Sequence, residues 1–270
     1  VFKLFRRKKF KLGGWQPDPA NKKYYKFDRS KLSLSKSNNQ YQSGDDVDLR
    51  PYTSPRHDQG ATGSCVGQST IKALEIKRIM KHGHEKHTDL SVLNLYYNAR
   101  DRMTPSQVKK DEGTYISLAC DVLRDIGVCR DELHPFKVRD VTKKPTLLAA
   151  RESRLNRITS HFKIKSQGKE LLEDMIFNLK AGNPIIFGTQ VGDQWFGYRG
   201  GKTIGVENKP KGGHAMVVVG YVDGIFIVEN SWGTQWGDDG FAYVKPEVFT
   251  HPSTRDLWVI VDGSEAWTEK

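Results

Sequence analysis

Four residue types in this sequence, at particular spacings, could carry chemistry together. In "DQGATGSCVGQST", residues 58–70, Cys65 opens a helical pattern and Gln59 precedes it by six positions across small residues. A helix start presents unpaired N–H groups and a partial positive charge, which favour thiolate over thiol. In "KGGHAMVVVGY", His214 stands on the leading edge of an apolar strand, behind Gly212 and Gly213. Asn230 follows sixteen residues later in "GIFIVENSWGTQWGDDGF", at the end of the next strand. A hairpin through "YVDG" would bring these two side chains close. The asparagine oxygen could then accept from one imidazole nitrogen and direct the other toward the sulfur. Acyl transfer through cysteine builds a negative oxygen, for which the Gln59 amide and the Cys65 backbone N–H are candidate donors. Trp232 is placed to shield the imidazole–amide bond from water. Each residue alone also fits a plain structural role, as buried thiol, strand histidine, core tryptophan or surface glutamine.

The elements that must position them divide the chain. Val66, Thr70, Ala73, Leu74 and Met80 recur at helical spacing after Cys65, Lys77, Arg78 and Lys81 cluster near the end, and Gly83 is a stop signal. "SVLNLYYNARDRM" and "YISLACDVLRDIG" predict two more helices, and "LLAARESRLNRI" a fourth. After about residue 158 the texture is strand-like, with "NPIIFGTQV", "HAMVVVGYV", "GIFIVENSW", "GFAYVKP" and "LWVIVDG" punctuated by glycine. Helices first and strands second predict an α+β protein with segregated lobes.

The net charge of +11 is uneven. Residues 1–46 hold twelve Lys/Arg against four Asp/Glu, and the remainder thirty-one against twenty-eight. This first segment, ending in "SLSKSNNQYQSGDD", has the composition of a basic extension and linker. It is expected either to be a solvated tail or to dock an anionic partner or larger assembly. "VFKLFRRKKF" is basic, with no apolar stretch of a secretory signal behind it, and no run approaches a membrane span. Three cysteines are too few for a disulfide framework, and Cys120 and Cys129 are expected to be reduced, which a cytoplasm or a virion would allow.

The stretches "DQGATGSC", "GGHAMVVVGY" and "ENSWGTQWGDDGF" resemble the papain-like cysteine peptidases over roughly residues 47–262. "LSVLNLYYNAR" and "EGTYISLACDVLRDIGVCRDELHPF" resemble the helical lobe of bacterial and phage-encoded members. The resemblance implies Cys65 as nucleophile, His214 as base and acid, Asn230 as its orienter and Gln59 as oxyanion donor. It also implies a helical lobe at about 56–157, an antiparallel β-barrel-like lobe at about 158–262 and a cleft between them. "DEGTY" is what remains of the family's glycine-rich substrate segment, which implies substrate contacts at Gly113, Thr114 and Tyr115, with Trp232 on the other side. Two departures stand out: Thr62 replaces a usual disulfide cysteine, and Val66 replaces the usual aromatic residue.

"GGWQPDPANKKYYKF" resembles the short leader of some bacterial members, so residues 13–30 are expected along the cleft, restraining access. No cofactor or metal is expected; His82, His84 and His87 lie among lysines without convincing ligand spacing. The expected activity is cysteine endopeptidase action on a protein or peptide substrate. Two alternatives keep the fold: a structural component of an assembly such as a phage particle, with vestigial turnover, or an amidase or transpeptidase acting on cell-wall or isopeptide bonds.

Overall fold

The computed structural model describes residues 10–20, 24, 27 and 46–263. The basic run at residues 1–9 and most of the linker, expected to dock a partner, lie outside the described residues.

A short strand, β1 (Val47–Asp48), leads through an extended segment to α1 (Cys65–His82). Gly83 ends α1 with φ +85, a conformation glycine adopts without strain, and its N–H donates to the Ile79 carbonyl. Most of α1 is buried, including Lys72, Glu75 and Lys77, so it is a central helix and not a surface one. Then come α2 (Val92–Met103), α3 (Ile116–Asp125) and α4 (Leu147–Ser153). The Ser91 and Thr146 side chains cap α2 and α4, accepting from the Asn94 and Ala149 N–H groups. These are the four expected helices, the fourth shorter than its pattern.

The second part of the chain holds β2 (Ser160–Ile164), α5 (Gly168–Lys180), β3 (Ile185–Gly192), α6 (Asp193–Phe196) and β4 (Thr203–Ile204). It continues with β5 (Pro210–Val222), β6 (Ile225–Glu229), β7 (Phe241–Val244), α7 (Glu247–Thr250) and β8 (Thr254–Val261). The sheet order is β2-β8-β3-β5-β6-β7-β4, with β1 added to β5. All pairings are antiparallel except β4 with β7. The α+β architecture is the one expected, and its barrel-like lobe is an open sheet, since β2 and β4 at its ends do not pair. α5 corrects the reading of residues beyond 158 as strands alone: Leu171, Met175 and Leu179 bury one helical face.

α1 packs across β5. Beneath that contact lies a charged cluster that ties the helix to the end of β6. The Lys72 ammonium donates to the Pro55 carbonyl at 2.7 Å and stands 3.4 Å from Glu229, whose other cation is Arg56 at 3.6 Å. Glu75 accepts from the Ser54 hydroxyl at 2.6 Å and the Leu90 N–H at 3.0 Å. Burial alone would raise its pKa, but the hydrogen bond and charge of His57, together with Lys72, hold it down at about 2. Among the described residues no helix is long and apolar enough to cross a membrane.

Candidate active site

Cys65 is the first residue of α1 and has no exposed surface. Residues 58–64 fold back ahead of it. The Gln59 N–H donates to the Ser231 carbonyl, Gly60 turns with φ +54, and the Thr62 hydroxyl donates to the Gln59 carbonyl at 2.8 Å. Thr62 thus braces the loop by hydrogen bonding where the family usually has a disulfide. The Gln59 side chain is oriented at both ends. Its oxygen accepts from the Ser231 hydroxyl at 2.7 Å, which leaves the NH2 group to donate to the Thr62 carbonyl at 2.8 Å. The amide therefore curls toward the helix start.

His214 lies in β5 and Asn230 directly follows β6. Asn230 Oδ1 accepts the Ser231 N–H at 2.7 Å, which fixes that atom as the oxygen. His214 Nε2, 2.7 Å from the same oxygen, must then be the donor. The imidazole lone pair is left on Nδ1, which has no hydrogen-bond partner although it is buried. The Asn230 NH2 and the Trp232 indole N–H are likewise unpaired. Orphaned buried polar groups are rare, and a cluster of them marks a functional site. The Trp232 ring stacks on His214 with centroids 4.8 Å apart, covering the imidazole–amide bond as expected. The Cys65 sulfur takes the backbone N–H of Ala215, the residue after His214, so the sulfur lies against the strand that carries the imidazole.

Burial favours the neutral form of both Cys65 and His214 in this arrangement. Burial pushes the Cys65 thiol up to about 12, against the lowering effect of the Ala215 and Val66 N–H groups. Burial also pulls His214 down to about 4, against the Asn230 hydrogen bond. The segment 10–20 contributes to that burial. It overlaps residues 13–30, expected along the cleft, of which 21–23, 25, 26 and 28–30 lie outside the described residues, while Tyr24 and Phe27 pack on Trp258 and Phe162. The Gly13 N–H donates to the Gly213 carbonyl at 2.9 Å. The Gly14 carbonyl accepts the Thr114 N–H at 3.0 Å, and the Thr114 carbonyl accepts the Gln16 N–H at 3.1 Å. Phe10 stacks on Trp232 at 4.5 Å. Three of the four expected substrate contacts are therefore filled by this strap: Thr114 and Trp232 touch it directly, and Gly113 lies where a Cβ would come within 2.4 Å of the Gly14 carbonyl oxygen. Tyr115 is the residue preceding α3 and is partly exposed.

Several site residues escaped the sequence. Asp111 accepts the Gly63 N–H at 2.9 Å, the Tyr96 hydroxyl at 3.0 Å and the Lys11 ammonium at 2.8 Å. It binds the cysteine loop to the substrate segment and to the strap at once. Its only signal was its place beside Gly113 in "DEGTY". Asp18, Lys163 and Asp256 form a second buried cluster at the strap's far end. Cys65, Cys120 and Cys129 are all free and buried. Of the histidines considered as ligands, His84 bonds the Pro51 carbonyl and His87 bonds Asp89 at 2.9 Å. Glu75, His87 and Asp89 bring one ligand atom each within 4.8 Å of one another, with both Glu75 oxygens already accepting hydrogen bonds.

The profile of the papain family cysteine proteases matches residues 43–253, which spans the cysteine loop, the histidine strand and Asn230. The chain belongs to the papain family of cysteine proteases. An uncharacterised peptidase C1-like protein of Acanthamoeba polyphaga mimivirus is 32% identical over 229 residues, covering 77% of this chain and 70% of that protein. A cysteine protease of Blomia tropicalis is 24% identical, and the match spans 56% of its length. Among solved structures, xylellain, a cysteine protease from Xylella fastidiosa, matches with TM-score 0.77 and 27% identity, covering 97% of this chain and 99% of that one. Procathepsin L 3 of Tenebrio molitor larval midgut, at 19% identity and TM-score 0.64 over 94% of this chain and 76% of its own, shares the fold. The family match stops eight residues short of the end of the sheet's last strand at Val261, and begins after the strap, so the papain-type core and the strap are separate parts of the sequence.

Proposed function

We propose that this chain is a cysteine endopeptidase in which Cys65 attacks the peptide carbonyl and His214 moves the proton, with the strap 10–20 as a removable cover. The observation that carries the reading is the imidazole: Asn230 holds Nε2–H, so the basic Nδ1 is left unpaired, while the Cys65 sulfur at the helix tip lies against the backbone of the next strand residue, Ala215. With the strap withdrawn, water reaches both groups and the desolvation that holds them neutral is lost. The thiol proton then passes to Nδ1, giving thiolate and imidazolium. The sulfur bonds the substrate carbonyl carbon, and the carbonyl oxygen becomes an anion facing the Gln59 NH2 and the Cys65 N–H. Collapse breaks the C–N bond while the imidazolium gives its proton to the leaving amine. Water, deprotonated by Nδ1, then attacks the thioester and releases the acid, and the proton returns to sulfur.

The strap itself is badly placed for cleavage. The Gly14 carbonyl, in the residue that touches the sulfur, is held by the Thr114 N–H, while the Gln59 NH2 faces the Lys11 carbonyl at 3.4 Å. Sulfur and oxyanion donor address different peptide groups, so the strap occupies the site without presenting a scissile bond. The test is hydrolysis of a fluorogenic peptide, together with mass-spectrometric detection of Cys65 alkylated by a thiol-directed epoxide. The full chain and Cys65→Ala are compared. Turnover that survives in Cys65→Ala, or a chain that never labels at Cys65 once the strap is displaced, would end this reading.

A further inference from the structure

The helical lobe carries an apolar surface that stands open to water. Leu147 and Leu155 are each 81% exposed and Leu148 is 62% exposed, the most of any large apolar side chains among the described residues; Val138 follows at 47%. Single exposed leucines are ordinary on a folded surface. Three within one short element are a cluster.

The frame of α4 holds them in place. Ala149 and Ser153, four residues apart, form its buried face, and the Ser153 hydroxyl donates to the Ala149 carbonyl at 2.8 Å. Glu152 accepts from the Arg130 N–H at 3.1 Å and from its guanidinium at 2.5 Å. A further turn follows the helix, closed by the Leu155 N–H on the Glu152 carbonyl at 2.9 Å. The Asn156 oxygen then accepts from Arg78 at 2.8 Å. With its inward side tied down, the element leaves Leu147, Leu148, Arg151, Arg154 and Leu155 exposed.

The charge around the leucines has one sign. Lys143 and Lys144 precede α4, Arg151, Arg154 and Arg157 lie on it or just beyond, and all five are exposed. The one carboxylate between residues 143 and 157 is Glu152, which Arg130 already holds.

We propose that this face docks on an anionic lipid bilayer, with Leu147, Leu148 and Leu155 entering the interfacial layer and the flanking cations reaching lipid phosphates. The guanidinium fork matches a phosphate, and the long stems of lysine and arginine lie along apolar surface while their heads stay at the polar level. Charge sets the sign of the partner, and the leucines set its kind. A nucleic acid would meet the cations but leave the leucines in water. A folded protein would need pockets spaced for three leucines that stand clear of the surface, whereas the fluid boundary between headgroups and acyl chains takes them at any spacing. The basic excess of residues 1–46 would be drawn to the same surface. None of the docking residues takes part in the peptidase chemistry, so docking stands independently of it.

The test is sedimentation of the full chain with vesicles of equal parts phosphatidylserine and phosphatidylcholine, and with phosphatidylcholine alone. Binding is expected with the mixed vesicles, much less with phosphatidylcholine, and should weaken as salt is raised. Leu147→Ser, Leu148→Ser and Leu155→Ser together should weaken it roughly 10-fold or more, the scale of fully burying one leucine. Arg151→Gln and Arg154→Gln should each weaken it roughly 5-fold, the scale for one cation near an anionic surface. All these side chains are exposed, so the midpoint of a denaturant melt should match the parent in every variant. Segment 1–46 is present throughout. A leucine variant that binds the mixed vesicles as tightly as the parent would therefore assign the binding to that segment and overturn the proposal. Equal binding to both kinds of vesicle would overturn it by removing the anionic requirement. A full chain that stays in solution with either would overturn it too, and would leave an acidic protein as the occupant of the face.

Discussion

Gly14 lies against Cys65 so closely that a Cβ at position 14 would stand 2.7 Å from the sulfur and 2.4 Å from the Gly63 carbonyl oxygen. The strap can cross Cys65 only because Gly14 has no side chain. Its φ lies outside the left-handed region, so the requirement is one of contact and not of backbone conformation. Gly14→Ala should therefore loosen the strap while leaving the catalytic core intact. Overpacking of this kind costs about 1–3 kcal/mol, equivalent to a rise of roughly 5- to 160-fold in the open fraction. The rate of Cys65 alkylation at limiting reagent reads that fraction, and an unchanged rate would mean the strap does not control access.

The Gln59 side chain offers a sharper test of the oxyanion assignment, because its oxygen and its NH2 group do different things. Gln59→Glu keeps an oxygen to accept from Ser231 but removes the donor that would face the developing charge. We expect kcat to fall roughly 10²- to 10³-fold, the scale of losing one oxyanion donor, with KM little changed. Cys65 should still alkylate, since that reaction passes through no tetrahedral acyl intermediate. A kcat within a few-fold of the parent would remove Gln59 from the mechanism.

How much of this was legible in the sequence depended on the range of the interactions. Cys65 at a helix start, Gln59 in a curling loop and the His214–Asn230 pair across one hairpin are short-range placements, and glycine and strand patterns announce them. α5 was missed although Leu171, Met175 and Leu179 are spaced for a helix. It begins after Gln167 without a capping side chain, so its start carried no signal, although Lys180, Gly182 with φ +76 and Pro184 mark its end. The Lys72–Glu75–Glu229 cluster was invisible because charged residues on a helix ordinarily face water. The openness of the sheet is decided by strand order, which no local pattern encodes. Asp256 could not be found either, because its place in the cluster with Asp18 and Lys163 depends on a bulge that periodicity does not show. The leader motif did place the strap near the cleft, but not the contacts of Trp15 with Gly188 and Asp256, which join residues far apart in the chain.

Asn230 should matter through the direction of the imidazole. Its oxygen is the partner of His214 Nε2–H, and without it the ring is free to take the other tautomer, with the proton on Nδ1 where the base is needed. Asn230→Ala is expected to lower kcat/KM roughly 10- to 100-fold, in keeping with a hydrogen bond of about 1.5–3 kcal/mol to an imidazole that becomes charged. The pH–rate profile distinguishes this from general damage. The limb reporting His214 should move to lower pH, since the hydrogen bond that favours the charged ring is gone. A uniform loss of rate with an unmoved profile would assign Asn230 a structural role only.

The buried Glu75 gives the fold a pH dependence whose sign can be worked out. Its folded-state pKa, about 2, lies below the ordinary glutamate value of 4.5, so the carboxylate binds protons less readily in the folded chain than in the unfolded one. Its contribution is therefore fully present above pH 4.5 and is lost as the pH falls toward 2, and at 1.36 kcal/mol per unit it is on the order of 3 kcal/mol. Glu75→Gln keeps the shape and an acceptor but removes the titration. The difference in unfolding free energy between parent and Glu75→Gln should be largest near neutral pH and shrink steadily below pH 4.5. Denaturant melts at several pH values would measure it. A difference that stays constant across this range would mean the charge on Glu75 is not what binds α1, and with it the Cys65 loop, to the strand that ends in Asn230.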